Sequence, residues 1–563
     1  MDAMVDRTAA QSFAPAPLAW ARGAPVAFGL ALIAVLAALQ QFHLGVESDN
    51  LWLMQCADKM LDGRTAYRDF LENSPPFAIL LYMPPVLLAR LLGAAEETTI
   101  VVYGLLVGAL ALGLAWRLVA KAGAQNVFGG LTALGAAAAY ALLPDFAFGQ
   151  RDHLIFALLG PFLLILALRA LGAPVWRTGA VISGLLAALA CAARPHYALA
   201  LALPALAALA RDGFKPLMRA PEWIAAALAA ALFAALSLAL FPHYVDTMLP
   251  IALDVYAPDR SSLPALILKP GVVAFAMIAA ATFAQRPPDP ARRAGAVFWL
   301  AALGALIAYF VQGKGFDYHL YVALALAGLG YVVRAQGEGF GLRQGLVAGG
   351  ALVLMLASHV WRDEPDLRAL MMLLALSALL AGFAHLAGSD PKIRASLAAL
   401  APAFAAAGLG LAALGFHYAW FATPMFEDEV RALGPHPKIA SLTNVSALAH
   451  PLVSKVGGIW TLSVIAQMIS YDADRVLALG QADDATRARL EADKRADRDR
   501  FFHDVAANPP DALLVSETWA AEHFQDDRLA PLLQSYHRQD FQTVIRQGRP
   551  ETFALYVREG DGG

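Results

Sequence analysis

The stretch FAILLYMPPVLLARLLG at residues 77–93 decides the topology of this chain. It is apolar, but it is shorter than the roughly 20 residues that a membrane-spanning helix needs, and Pro84 and Pro85 interrupt it. If it does not cross, the basic loops that follow lie on the same side as Arg7 and Arg22, as the positive-inside rule requires. If it crosses, the rule is inverted for every later loop. We therefore predict an interfacial or re-entrant helix on the outer face.

Thirteen other stretches are apolar enough to cross a membrane, so we predict an α-helical polytopic membrane protein with its N-terminus inside. The predicted spans are residues 24–43, 99–117, 127–144, 154–170, 178–193, 196–210, 222–241, 265–285, 295–312, 319–334, 345–361, 368–387 and 396–421. The composition agrees, because 59% of the residues are apolar and 15% are charged, which excludes a soluble enzyme and a disordered protein. A net charge of −3 provides no basic field for nucleic acid.

Charged residues concentrate in the last quarter of the chain, where 36 of the 87 follow Ala422. There, short apolar runs such as KIASLTNV, DALLVSE, FQTVIRQ and FALYVRE alternate with helical stretches, the most charged of them at residues 483–507. This pattern predicts a small α/β domain. The predicted parts are a cytoplasmic N-terminus at 1–23, a transmembrane module at 24–422 with its first outer loop at 44–98, and an extracytoplasmic domain at 423–563.

The predicted topology gathers the polar motifs at the outer surface. The second, third and fifth outer loops hold PDFAFGQRDH, ARPHY and QGKGFDYHLY, and the fourth runs from 241 to 264. The first outer loop begins with Glu47-Ser48-Asp49-Asn50, ahead of a helical pattern. Asp49 is therefore either the N-cap of that helix or a general base just above the bilayer, and on the sequence alone the two are weighed evenly.

Further along the first loop come a Gly-x-x-x-Tyr-x-Asp segment, a Pro-Pro pair and the amphipathic run. With the acidic start, this layout resembles the first loop of the GT-C membrane glycosyltransferases, particularly the family-39-like group of protein O-mannosyltransferases and lipid A aminoarabinose transferases. Arg151-Asp152-His153 in the second loop looks like the second acidic site of that fold. The resemblance covers roughly residues 24–340 in layout, although Glu47 and Asp49 are two residues apart where that group often has adjacent acids.

The resemblance implies an inverting transfer of a sugar from a polyprenyl-phosphate donor to a glycan, lipid or protein of the cell envelope, at the outer face of a bacterial plasma membrane. An acceptor hydroxyl must lose a proton as it attacks, which suits Asp49 as general base. The leaving lipid phosphate needs positive charge rather than an acid. The implied roles are catalytic for Asp49 and Asp152, phosphate-binding for Arg151, Arg194, Arg260 and Lys314, and substrate-binding for Glu47, Tyr67, Asp69, His153, His196, Asp317 and His319.

Each of these residues also has an ordinary structural interpretation. An outer arginine can contact lipid headgroups, Asp152 can simply pair with Arg151, and interfacial histidines can bind backbone carbonyls. For Lys314 a ligand-binding role is favoured over a structural one, because Gly313 and Gly315 leave its backbone room to approach a ligand. A divalent metal held by Asp49, Asp152 and the outer histidines is an alternative, but no fixed ligand spacing such as His-Glu-x-x-His occurs, so we expect no required cofactor.

Two other function classes fit a polytopic chain. One is a transporter or flippase for lipid-linked sugars, and the other is a scaffold whose outer domain recruits envelope partners. Coupled transporters usually place ionisable groups near the membrane midplane, whereas no predicted span here carries a charged residue near its middle. The sequence therefore favours the transferase, with the donor, membrane lipids and an envelope acceptor as partners and no nucleic acid.

Overall fold

The computed structural model describes residues 19–337, 391–416, 425–480, 482–546 and 549–558. The first three quarters of the chain form a bundle of helices with short elements between them. These helices are α1 (Ala19–Leu44), α2 (Ser48–Leu61), α3 (Pro76–Leu80), α4 (Met83–Leu92), α5 (Glu96–Ala122), α6 (Gly130–Ala141), α7 (Arg151–Ala170), α8 (Arg177–Ala193), α9 (Ala198–Asp212), α10 (Phe214–Arg219), α11 (Pro221–Leu240), α12 (Leu249–Ile251), α13 (Leu263–Ile267), α14 (Pro270–Ala284), α15 (Asp289–Gln312), α16 (Tyr321–Gly337) and α17 (Pro391–Phe416). π-helical turns flank α12 at Tyr244–Met248 and Ala252–Tyr256, and 3₁₀ turns lie at Asp145–Ala147, Pro195–Tyr197 and Asp317–Leu320.

The bundle is that of a multi-pass membrane protein. Eleven of the thirteen predicted spans coincide with helices, and the other two, 345–361 and 368–387, lie outside the described residues. Within the described part, six helices are both long and apolar enough to cross a membrane. The span count of thirteen therefore stays a prediction.

Two helices form the centre of the bundle. The apolar window of α7 is 83% buried and that of α16 is 94% buried, whereas α11 is only 11% buried. The central helices pack against α5, α8, α14 and α15. Since Arg151 and Asp152 begin α7, they stand on one of the most constrained helices, as a precise site requires.

The proline-broken run folds as two short helices, α3 and α4, rather than one continuous helix. Pro84 and Pro85 lie in the first turn of α4, where proline is tolerated because the first backbone N–H groups have no helical partner. The Tyr82 hydroxyl lies 3.0 Å from Asn50 Oδ1 and 2.8 Å from the Gly149 carbonyl. The run therefore ties the first predicted outer loop to the second.

The C-terminal part has the predicted α/β character. Its helices are α18 (Glu427–Arg431), α19 (Ser446–Ala449), α20 (Leu452–Lys455), α21 (Met468–Ala478), α22 (Asp484–Ala507), α23 (Glu517–His523) and α24 (Leu529–Leu533). Its strands are β1 (Lys438–Leu442), β2 (Ile459–Trp460), β3 (Ala512–Ser516), β4 (Tyr536–Arg546) and β5 (Arg549–Arg558). They form one sheet in the order β2-β1-β3-β5-β4, in which β1 runs parallel to β2 and β3, and β5 runs antiparallel to β3 and β4. The four apolar runs quoted above each supply a strand, and the predicted charged helix is α22.

The sheet domain is bound to the predicted outer loops by polar contacts. The Leu71 amide donates to the Ser463 carbonyl at 2.8 Å, and Lys59 Nζ donates to the Leu462 carbonyl at 2.9 Å. On the fourth loop, Arg489 holds Asp254 with two hydrogen bonds of 2.8 and 3.2 Å. The domain therefore covers the loop end of the bundle.

Candidate functional site

A cavity of about 540 Å³ lies where the loops meet the C-terminal domain. All five predicted outer loops contribute to its wall, so they lie at the same end of the bundle, as the predicted topology requires. The segments after parallel strands β1 and β2 close the other side, and the carboxyl edge of parallel strands is where open α/β sheets bind ligands. The charged lining residues are Glu47, Asp49, Glu72, Asp259, Asp317 and Asp472, with Arg151, Arg194, Lys269, Lys314 and Arg475.

Asp49 stands in the first turn of α2, but it does not cap the helix. Glu47 is the N-cap, and its Oε2 accepts the Asp49 backbone N–H at 2.8 Å. Gln150 Nε2 and Ser48 Oγ also donate to Glu47, at 2.5 and 3.1 Å. Burial, with the nearby negative charge of Asp49, raises the pKa of Glu47 to about 8. Capping by Glu47 leaves the carboxylate of Asp49 facing the cavity.

Arg151 lies between the two acidic segments of the first loop. Its Nη2 donates to Asp49 Oδ2 at 3.0 Å, and its Nη1 lies 3.5 Å from Glu72 Oε1 and hydrogen-bonds Ser74 Oγ. Glu72 is itself held by Trp52 Nε1 at 2.8 Å. The Arg151 side chain is 6% exposed, and that of Asp49 is 28% exposed. The guanidinium is therefore fixed in the cavity wall, and the Asp49 carboxylate is the more accessible of the pair.

Asp152 does not line the cavity. It is fully buried, and its Oδ2 accepts a hydrogen bond from Arg194 Nη2 at 3.3 Å. Arg194, in contrast, lines the cavity, and no partner is present for its Nε among the described residues. Asp152 therefore acts on the cavity through Arg194, and it does not pair with Arg151.

Two lysines line the cavity in different ways. Lys269 Nζ, between α13 and α14, lies 3.4 Å from Asp317 Oδ2 with 34% of its side chain exposed. Lys314 Nζ donates to the Asp259 carbonyl at 2.7 Å and to the Tyr256 carbonyl. Both neighbouring glycines of Lys314 have positive φ, 69° for Gly313 and 73° for Gly315, which brings this turn close to the fourth loop. Lys314 thus mainly fixes the fourth loop, whereas Lys269 is freer to bind a ligand.

Five predicted substrate-binding residues do not line the cavity. Tyr67 and Asp69 fold the first loop: the Tyr67 hydroxyl donates to the Ser74 carbonyl at 2.7 Å, and Asp69 Oδ2 accepts the Thr65 amide at 2.7 Å. The remaining three are histidines at the ends of helices, His153, His196 and His319. The site thus contains Glu47 and Asp317 of the seven residues in that group.

The three histidines differ in their surroundings. His153 Nδ1 accepts the Gly149 amide at 2.9 Å and Nε2 pairs with the Tyr140 carbonyl at 2.8 Å, so backbone groups satisfy the ring. His319 is 2% exposed and packs edge-on against Tyr318. His196 is half-buried beside Tyr197. Among the described residues, no group of three or more His, Cys, Asp and Glu side chains is arranged to hold a metal ion.

Arg260 also lies outside the cavity lining. Its Nη2 donates to the Phe310 and Val311 carbonyls at 2.9 and 2.8 Å, near the end of α15. The last carbonyls of a helix lack partners, and arginine commonly satisfies them. Arg260 therefore stabilises the end of that helix, and the charged residue of this loop that lines the cavity is its neighbour Asp259.

Several cavity residues were not selected from the sequence. Glu72 belongs to the LENSPP segment, and Lys269 lies within residues 265–285, which the sequence predicts to be a span. Pro270 starts α14 just after Lys269, and recognising this start would have identified an outer lysine. No sequence signal identified Asp472 or Arg475, which the C-terminal domain contributes.

Comparisons with known proteins show the fold. No family model matches this chain, and no curated protein matches it. The crystal structure of ArnT from Cupriavidus metallidurans bound to undecaprenyl phosphate is similar with a TM-score of 0.51 and 16% sequence identity, over 94% of this chain and 98% of that chain. The apo state of that protein gives a TM-score of 0.48 and 15% identity, over 93% and 97% of the two chains. ArnT is a lipid A aminoarabinose transferase of the GT-C fold, and the likeness to its lipid-bound structure confirms the GT-C-like membrane fold expected from the sequence.

Proposed function

We propose that this protein is an inverting glycosyltransferase that moves a sugar from a polyprenyl-phosphate donor to an acceptor in the bacterial cell envelope. The observation that carries the proposal is the partly exposed Asp49 carboxylate, 3.0 Å from the Arg151 guanidinium in the wall of the cavity. A base beside fixed positive charge is what this transfer needs. The fold likeness to ArnT, a protein crystallised with undecaprenyl phosphate, supports the donor class.

The transfer is a single displacement at the anomeric carbon of the donor sugar. The acceptor hydroxyl oxygen forms the new bond to that carbon, and its proton passes to the Asp49 carboxylate. The bond from the anomeric carbon to the phosphate oxygen breaks, and its electron pair leaves with the lipid phosphate. One displacement inverts the anomeric configuration. The products are the glycosylated acceptor and polyprenyl phosphate.

Cations in the cavity wall stabilise the departing phosphate. Arg151, Arg194 and Lys269 all line the cavity, and guanidinium groups can hold phosphate with two parallel hydrogen bonds. A lipid phosphate is already a stable anion, so no carboxylic acid is needed to protonate it. In the reaction, Asp152 keeps Arg194 in place and Glu47 keeps Asp49 in place.

The donor enters from the membrane. The exposed face of α4 carries Leu87, Leu91 and Leu92, which are 44%, 81% and 67% exposed, and such a face suits contact with lipid. We place the cavity at the outer surface of the plasma membrane, with the N-terminus in the cytoplasm and the C-terminal domain outside, because the positive-inside rule favours this orientation.

Turnover with defined donors tests the proposal. The protein in lipid nanodiscs would receive polyprenyl-phosphate sugars together with glycan, lipid or protein fractions of the envelope, and released polyprenyl phosphate would be measured. We expect release with one donor and its loss in Asp49→Asn, while Asp62→Asn, at the exposed far end of α2, retains it. Normal turnover by Asp49→Asn would overturn the assignment of the base.

A further inference from the structure

Among the residues that the structure describes, the buried carboxylate of Asp472 has no hydrogen-bond or ion-pair partner. It stands on α21 of the C-terminal domain, is 6% exposed and lines the cavity. Within the described residues it makes no hydrogen bond and no ion pair, whereas each of the other acidic residues of the lining has at least one. An unpaired buried charge costs considerable free energy. A ligand that donates hydrogen bonds would offset that cost.

The nearby cations are already engaged by another carboxylate. Asp259 Oδ1 lies 3.1 Å from Arg475 Nε, and Asp259 Oδ2 lies 3.6 Å from Lys314 Nζ. Lys314 also donates to two backbone carbonyls. Asp472 therefore has cations nearby but no direct bond to either, and its oxygens are left to accept hydrogen bonds from whatever occupies the cavity.

Aromatic rings share the cavity with this carboxylate. Tyr256, Phe316, Tyr318 and Tyr471 all line the cavity. The rings of Phe316 and Tyr318 are nearly parallel, with an angle of 5° between them and centroids 5.7 Å apart. Flat apolar faces with a hydrogen-bond acceptor at their edge suit a sugar ring, which has C–H groups on its faces and hydroxyl groups around its rim.

The location connects this group to the phosphate-binding cations. Tyr256 lines the same cavity as Asp49, Arg151 and Arg194 of the proposed reaction centre and as Asp472. Lys314 Nζ lies 3.6 Å from the centroid of the Tyr256 ring and 3.6 Å from Asp259 Oδ2, and Asp259 Oδ1 binds Arg475 on the helix that carries Asp472. A sugar whose phosphate is bound by the two arginines would therefore occupy the same cavity as the Asp472 carboxylate.

The geometry points to a sugar-binding subsite between the fourth loop and the C-terminal domain, in which Asp472 accepts hydrogen bonds from hydroxyl groups of the donor sugar. This inference rests on the proposed function, since it names the part of the cavity that holds the transferred group. It makes the C-terminal domain a part of the substrate site rather than only a cover. Sites built to bind a substrate hydroxyl discriminate strongly against ligands that lack it.

Lipids that differ only in the sugar test the subsite. The full chain in nanodiscs would be titrated with undecaprenyl phosphate and with undecaprenyl phosphate carrying glucose, mannose, galactose or a pentose. Wild type should bind one sugar-bearing lipid more tightly than the bare lipid. Asp472→Asn and Asp472→Ala should bind the bare lipid like wild type. Their affinity for the preferred sugar-bearing lipid should be about tenfold lower than that of wild type. Asp527→Asn, an exposed change in the same domain, is the control.

The outcomes separate this inference from the proposed function. Sugar-dependent affinity that persists in both Asp472 variants overturns the subsite and leaves the transferase proposal intact. Wild type that binds every lipid of the panel equally has no sugar-selective subsite, which also overturns the inference. Wild type that binds none of them overturns the proposed function and the inference together. Loss of the sugar-dependent affinity in the Asp472 variants alone supports both.

Discussion

Glu47 caps the helix on which Asp49 stands, with its Oε2 accepting the Asp49 backbone N–H at 2.8 Å. Because the cap is supplied two residues upstream, the Asp49 side chain is not needed to satisfy the helix N-terminus. It binds Arg151 instead. Because Glu47 caps the helix and Asp49 binds Arg151, the partly exposed carboxylate of Asp49 is held at a fixed position in the cavity wall.

The state of Glu47 leads to the first prediction. Since its pKa is raised to about 8, the neutral form predominates at pH 7, and Glu47→Gln resembles that form. We expect Glu47→Gln to keep turnover within about threefold of wild type. Glu47→Ala loses the cap, which should lower the free energy of unfolding by about 1 kcal/mol and reduce turnover at least about tenfold. Thermal unfolding and donor turnover at pH 7 measure both effects. Equal activity of the two variants would show that the cap does not position Asp49.

The cavity lining predicts which basic residues bind the lipid phosphate. Lys269 lines the cavity with a third of its side chain exposed, whereas the Arg260 guanidinium binds carbonyls at the end of a helix. We expect Lys269→Ala to weaken binding of undecaprenyl phosphate about tenfold and Arg260→Ala to change it by less than about twofold while lowering thermal stability. Titration of both variants in nanodiscs measures this difference. The reverse order would restore Arg260 as a phosphate ligand, as the sequence suggested.

A third prediction concerns the buried pair of Asp152 and Arg194. Removing one partner of a buried ion pair leaves the other charge unpaired and commonly costs about 3–5 kcal/mol. We expect Asp152→Asn to lower the melting temperature, and the double variant Asp152→Leu/Arg194→Met to regain stability without regaining turnover. If Asp152→Asn instead keeps stability while losing all turnover, Asp152 acts directly in catalysis.

Helices and strands were the most predictable part of this molecule, because each depends on local patterns. Apolar length located the helices of the bundle, and short apolar runs located four strands. The two-residue strand β2 is too short to leave a pattern. Helix α7 shows why a run of adjacent polar residues does not predict a shared site. Successive residues on a helix point about 100° apart, so Arg151 lines the cavity while Asp152 and His153 are buried in the bundle.

The site was less predictable, because 14 of its 34 lining residues come from the distant C-terminal domain. In the sequence Tyr-Asp-Ala-Asp-Arg at residues 471–475, nothing local distinguishes Asp472 from Asp474. Only the fold shows that Asp474 pairs with Lys494 and His523, at 2.6 and 3.1 Å, while Asp472 faces the cavity with no partner in the described part of the chain. Long-range packing decides this difference, and a single sequence does not encode it in any readable pattern.

Metal removal gives a fourth prediction. The cavity already holds fixed cations that can neutralise a leaving phosphate, and its acidic residues other than Asp472 are engaged by hydrogen bonds or ion pairs. We therefore expect EDTA to leave turnover within about twofold of its value without chelator. The measurement is donor turnover after chelation and again after adding back Mg²⁺, Mn²⁺ or Ca²⁺. A loss on chelation that one of these ions restores would establish a metal requirement.

The last prediction uses the pH dependence of stability at Asp472. Burial and the nearby Asp259 raise the pKa of Asp472 to about 7, against the opposing effect of Lys314 and Arg475. A carboxyl whose folded pKa exceeds its unfolded value near 4 binds its proton more tightly when folded, so its contribution to stability is lost as the pH rises from about 4 to about 7.

Asp472→Asn cannot ionise, so it does not lose this stability as the pH rises. We therefore expect the variant to melt at a higher temperature than wild type, by a larger margin at pH 8 than at pH 5, with no ligand present. Differential scanning calorimetry in one detergent at both pH values measures the margin, and Asp527→Asn should show none. A margin that does not grow with pH would mean that Asp472 is paired in the folded protein, and the case for a free carboxylate in the sugar subsite would fall with it.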